Sequence, residues 1–225
     1  MTALMSLRSR LALSRVAVLV PGTEASPGFV GELVAAGVDL LVVGTTGDEA
    51  ADADIIRSLR AAHGATRLLI ATDNGAAAGP ASADVVHIHS PGWRLWGQYP
   101  SGHRWSLLGR CARDARTVRS PGDVWDYLFV GPLERIDAGS RALSEALVEQ
   151  AAFREGALPW FAYGNFTAGE ADRLVDLGVR RIALTADAFA AGDLVSRVLA
   201  IGSVLGAAWD ADPEAVAYRF AAAAL

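Results

Sequence analysis

Short apolar runs alternate along this chain with longer stretches in which apolar residues recur every three or four positions. RVAVLV, DLLVVG, RLLIA, DVVHIH, SLLGR and DYLFVG are runs of the first kind, as expected of strands buried on both faces. The clearest unit is Leu158 to Phe189. Pro159 to Tyr163 is an apolar strand ending at Gly164. Ala168, Ala171, Leu174, Val175 and Leu177 then fall on one side of a helix, with Glu170, Asp172, Arg173 and Asp176 between them. Thr167 suits the N-cap, and Gly178 stands where the helix should stop. Arg181 to Thr185 opens another buried strand, so the two strands are parallel and joined by a right-handed crossover.

The same unit recurs from end to end. The spacing predicts a leading helix over Ala3 to Ser14, a first strand over Arg15 to Val20, and helices near Phe29 to Ala36, Ala50 to His63, Ala112 to Val118 and Ser140 to Ala152. A linker rich in alanine and glycine precedes DVVHIH. Closing helices are expected over Leu194 to Trp209 and Pro213 to Ala224, the last stretch of residues 194–225. About eight strands, each followed by a helix or loop, are the count of a (β/α)₈ TIM barrel in a single domain over residues 1–225. A doubly wound sheet is the alternative. Val198 to Trp209 carries two glycines and a serine and has the length of a buried helix, so no membrane span is expected. Arg15 interrupts the apolar stretch near the N-terminus, which argues against an export signal.

Composition removes several classes of function. The chain has 225 residues, 52% of them hydrophobic, and a net charge of -5. With an isoelectric point near 5.4 it is not expected to bind nucleic acid or to anchor on a membrane through basic patches. All 20 basic residues are arginine, so a lysine Schiff base is excluded. Cys111 has no partner for a disulfide within the chain, which suits a reduced, cytoplasmic protein.

In a barrel, chemistry belongs at the C-terminal ends of the strands. His87 and His89 point to one face of their strand and can ligate a metal together with Asp73 or His103. They can equally be hydrogen-bonded within the barrel mouth. Trp93, Trp96, Tyr99 and Trp105, with Arg94, His103 and Arg104, form an aromatic loop suited either to stack on a flat heterocycle as a lid or to make a homodimer contact. Cys111 reads as a small core residue or as a nucleophile. Gly164 leaves backbone N–H groups for an anion, or simply makes a turn. Glu49, Asp52 and Asp54 read as a solvated helix start.

ADVVHIHSPGW, SLLGRCARDARTV, DYLFVGPLERI and PWFAYGNFTAGEADRLVDLGVRRIALTADAF together resemble the thiamine phosphate synthase family, including its thiazole tautomerase relatives. The resemblance covers most of the chain after Arg67. It implies a barrel that joins a pyrimidine diphosphate to a thiazole phosphate, with Mg2+ and a phosphate grip from the last two loops. Matched residue by residue, it implies a metal carboxylate at Asp73 and keeps His87, with the family's next metal-binding aspartate falling on Gly92; His89 joins the candidate metal site by its strand spacing. Catalytic positions fall on Cys111, Arg113 and Arg135. Substrate and phosphate binding falls on Gly131, Pro132, Gly164, Asn165, Thr185 and Ala186, with Trp93 and Trp96 from the aromatic loop. The family's diphosphate-holding arginine and lysine match Val43 to Gly47 here, and its threonine-lysine motif matches Arg135 to Ala138. The expected protein is therefore a divergent member that binds a thiamine-related or other phosphorylated heterocycle with synthase activity weak or absent. An active synthase with a rearranged site and a non-catalytic scaffold are the alternatives.

Overall fold

In the computed structural model, residues 6–64, 67–89, 106–133, 158–186 and 191–223 are described. The strands are β1 (Val16–Pro21), β2 (Leu40–Gly44), β3 (Leu69–Thr72), β4 (Val85–Ile88), β5 (Leu107–Ala112), β6 (Tyr127–Val130), β7 (Trp160–Tyr163) and β8 (Ile182–Thr185). Each pairs in parallel with the next, and β8 returns to β1, with Val16 opposite Ile182, so the sheet closes as a barrel. The described helices are α1 (Leu7–Leu13), α2 (Pro27–Ala36), α3 (Glu49–His63), α4 (Gly75–Ala78), α5 (Ala115–Arg119), α6 (Ala168–Asp176), α7 (Ala191–Ala211) and α8 (Pro213–Ala223).

The two-residue period of the strands sorts the core into two layers. Ala17, Leu19, Leu40, Val42, Leu69, Phe129 and Phe161 fill the barrel interior. Their neighbours Val16, Val18, Leu41, Val43, Ile70 and Ile182 turn outward against the helices. Large rings crowd one side of the interior: the centroids of Tyr127 and Phe129 are 5.2 Å apart, and those of Phe129 and Phe161 are 5.4 Å apart. Gly109 pairs with Tyr127 across β5 and β6, and a Cβ there would lie 2.1 Å from the tyrosine ring. Only a glycine leaves room for that ring.

Helix α1 closes the end of the barrel opposite the mouth. Leu11 lies in the interior cluster with Leu7 against it, and Arg10 holds the carbonyls of Arg67 and Leu68. Beside it, Arg181 is 1% exposed, and its guanidinium donates to the Ala12 carbonyl at 2.9 Å and the Tyr218 hydroxyl at 3.0 Å. The Trp209 and Tyr218 rings flank it at 5.3 and 5.5 Å.

Most expected elements stand within a few residues of the pattern. Thr167 caps α6 and forms a reciprocal capping box with Glu170, and Gly178 ends that unit at φ +91°. The helix expected over Ala112 to Val118 begins later, because β5 continues through Ala112 and Asp114 caps at the Thr117 N–H. The linker before β4 contains the single turn α4, capped by Asn74. The helix expected over Ser140 to Ala152 lies outside the described residues. Helix α7 is long and apolar enough to cross a membrane by length and composition. In the fold its Leu194, Val198, Ile201 and Leu205 are fully buried, and it packs between α2 and α6.

Candidate functional site

The C-terminal ends of β1 to β4, β7 and β8 border a cavity of about 270 Å³. Its lining comes from Leu19 to Pro21, Val42, Gly44, Thr45, Asp73, His89, Tyr163 and Thr185. Below it runs a line of polar contacts. His87 Nδ1 and the Tyr127 hydroxyl lie 2.7 Å apart, His87 Nε2 is 3.4 Å from Cys111 Sγ, and Cys111 Sγ is 3.6 Å from His89 Nδ1. The line ends at Asp73, whose Oδ2 is 3.7 Å from His89 Nε2.

Burial sets the charge of this line. His87 is completely buried, and desolvation with His89 alongside holds its pKa well below the usual value. Desolvation also lowers His89, opposed by Asp73 and reinforced by Arg113. Asp73 is raised, chiefly by desolvation, and its Oδ1 is buried without a hydrogen-bond partner among the described residues. The Cys111 thiol is pushed up to about 11 by burial, although Arg113 and Arg110 pull it down. A thiol in that state is protonated near neutral pH and is a poor nucleophile. Its two histidine neighbours cannot be read from the sequence, because they come from the adjacent strand.

The rim is held by a residue that sequence pattern misplaces. Asp52 is not a solvated helix-start residue: it is 1% exposed and gathers the loop after β2. It accepts from Thr45 Oγ1 at 2.6 Å, Thr46 N at 2.8 Å, Thr46 Oγ1 at 2.6 Å and Asn74 Nδ2 at 2.7 Å. Desolvation opposes its ionisation, but these bonds outweigh it and leave the pKa below the ordinary value. The available signal was the pair of threonines at a strand end shortly before an aspartate on the buried side of α3. Glu49 and Asp54 do remain exposed.

No protein-family profile matches the chain. It is 32% identical to a thiamine-phosphate synthase of Mycobacterium avium over 139 residues, which is 60% of this chain and 61% of that protein. The match thus spans less than two thirds of that relative. With a thiamine-phosphate synthase of Acidothermus cellulolyticus the identity is 28%, over 69% of this chain and 76% of the relative. In sequence the chain is distantly similar to these two thiamine-phosphate synthases. In fold it superposes on the thiamine phosphate pyrophosphorylase of Pyrococcus furiosus with a TM-score of 0.68 and 17% identity, covering 90% of this chain and 99% of that one.

The Mg2+ that the sequence resemblance implies can be checked against the donors at the mouth. Mg2+ takes oxygen ligands in near-octahedral geometry. Among the described residues Asp73 is the one carboxylate lining the cavity, and the oxygens of Asp52 are already taken by the rim. Imidazoles and a thiol stand beside Asp73 instead. These donors do not fit a magnesium site.

The residues matched to the family's phosphate grip are placed unevenly. Thr185 lines the cavity, and Ala186 is buried behind it. The Gly164 N–H does not wait for an anion: it donates to the Ala183 carbonyl at 3.1 Å, because the β7–β8 ladder extends one residue further. The Gly131 N–H is likewise engaged with Ala112, and Gly131, at φ +150°, precedes Pro132 against the Tyr163 carbonyl. Asn165 sits between β7 and α6, where the Glu170 carboxylate already accepts from the Thr167 N–H at 2.7 Å. Arg113 is exposed at the end of β5. Arg135, Trp93 and Trp96, with the rest of the aromatic loop and its lid or homodimer role, lie outside the described residues.

Proposed function

We propose that this chain binds one thiamine-related or other phosphorylated heterocycle at the barrel mouth, with synthase turnover weak or absent. The carrying observation is a mouth that keeps a ligand-sized cavity but, among the described residues, little of the charge a departing diphosphate needs. Each charge-assisted contact contributes about 1.5–3 kcal/mol, so several are required. Here the chain has no lysine, and Arg113 is the exposed cation whose charge reaches His89 and Cys111. Arginine grips phosphate bidentately, which suits one phosphate tail. Tyr163 offers a flat wall for a ring, while Thr45 and Thr185 offer hydroxyls at the rim. The buried, unpaired Cys111 supports a reducing, cytoplasmic setting.

Calorimetric titration with thiazole phosphate, thiamine phosphate and the pyrimidine diphosphate tests the reading. At least one should bind, and Arg113→Ala should weaken it. No affinity for any of the three removes the proposal. Thiamine phosphate formation at an ordinary rate, on the order of 1 per second, replaces it with an active synthase.

A further inference from the structure

His87, His89 and Cys111 present ligand atoms that all lie within 4.8 Å of one another. In a tetrahedral site with zinc bound to nitrogen and sulfur at about 2.0–2.3 Å, a thiolate and an imidazole nitrogen stand about 3.5 Å apart. The two nitrogen–sulfur separations here are 3.4 and 3.6 Å. The outward nitrogens also have what a metal-ligating histidine needs. His87 Nδ1 meets the Tyr127 hydroxyl at 2.7 Å, and His89 Nε2 faces the Asp73 carboxylate at 3.7 Å. Such outer partners fix the tautomer and aim the inner nitrogen at the metal. Gly109 in turn makes room for the Tyr127 ring.

We propose that His87 Nε2, His89 Nδ1 and Cys111 Sγ bind a borderline divalent transition metal of the zinc class, with Tyr127 and Asp73 as orienting groups. Nitrogen and sulfur donors select such a metal over magnesium. Binding displaces the thiol proton to solvent, and both histidines enter as neutral ligands. Three protein ligands leave a fourth position, the arrangement of zinc sites that accept water or a substrate atom. His89 and Asp73 line the cavity, so the metal sits at its floor. This inference does not require that a phosphorylated heterocycle binds there.

The test uses the full chain, stripped with a chelator and titrated with Co2+ as a spectroscopic stand-in for zinc, without any organic ligand. One equivalent should give intense tetrahedral visible bands and a thiolate-to-cobalt charge-transfer band, both removed by added Zn2+ and untouched by equimolar Mg2+. Cys111→Ser should abolish the charge-transfer band. Asp73→Asn should keep the band but lower zinc affinity about 10–100-fold. No saturable Co2+ spectrum in the unaltered protein overturns the proposal without recourse to any variant. An unchanged spectrum in Cys111→Ser, or displacement of Co2+ by equimolar Mg2+, overturns it as well.

Discussion

Replacing Asp52 with alanine separates a structural hub from a surface charge. The carboxylate takes four short hydrogen bonds, at 2.6, 2.8, 2.6 and 2.7 Å, from Thr45, Thr46 twice and Asn74. Bonds to a charged group contribute about 1.5–3 kcal/mol each. The threonines stand at an exposed rim and recover water when released, and bonds sharing one acceptor group are not additive. The expected loss is therefore about 3–4 kcal/mol, well short of their sum. For a chain of this size that lowers Tm by roughly 6–16 °C. Thermal and urea melts followed by circular dichroism measure it, and Asp52→Asn should fall between the two proteins. A loss under about 1 kcal/mol, the scale of a helix-dipole interaction, would refute the hub and restore the solvated-helix-start reading.

Because the folded pKa of Asp52 is depressed, its contribution is present above the unfolded carboxylate value and is lost as pH falls through the folded one. The gap between Asp52→Ala and the unaltered protein should accordingly narrow below about pH 4 in parallel urea melts. Gly109→Ala should cost about 3 kcal/mol or more, since its Cβ would fall 2.1 Å from a ring already packed by Phe129 and Phe161. Adding Tyr127→Leu should recover part of that loss, and strict additivity in the double variant would refute the clash. The Cys111 thiol, raised to about 11, should be alkylated by iodoacetamide in the folded protein far more slowly than in urea at pH 7, and equal rates would contradict its burial.

The strands and helices were legible because period and capping chemistry agree: Thr167 and Gly178 delimit α6, and alternation in the strands gives the two core layers. The boundary after Arg110 failed because pairing with β6, which the chain pattern does not show, carries β5 on through Cys111 and Ala112. At the mouth, single positions were legible but pairings were not. His87 and His89 share a face by spacing alone, whereas their meeting with Cys111 depends on the register that sets His87 against Gly109 in β5. Gly164 suggested an anion site because a glycine ending a strand looks free, and the ladder register takes its N–H. Asp52 was misread because helix-start acids are usually solvated, and only the barrel's curvature brings Asn74 to the same oxygen.

The clamp around Arg181 has a topological consequence. It ties α1 to α8 on the side opposite the mouth, so the first and last described helices touch each other. A linker would join two helices already in contact, and the exposed turn at Gly122 to Val124 offers a place to open the chain. Circular permutation at that turn would reorder the sequence while leaving all eight strands of the barrel beside their present neighbours.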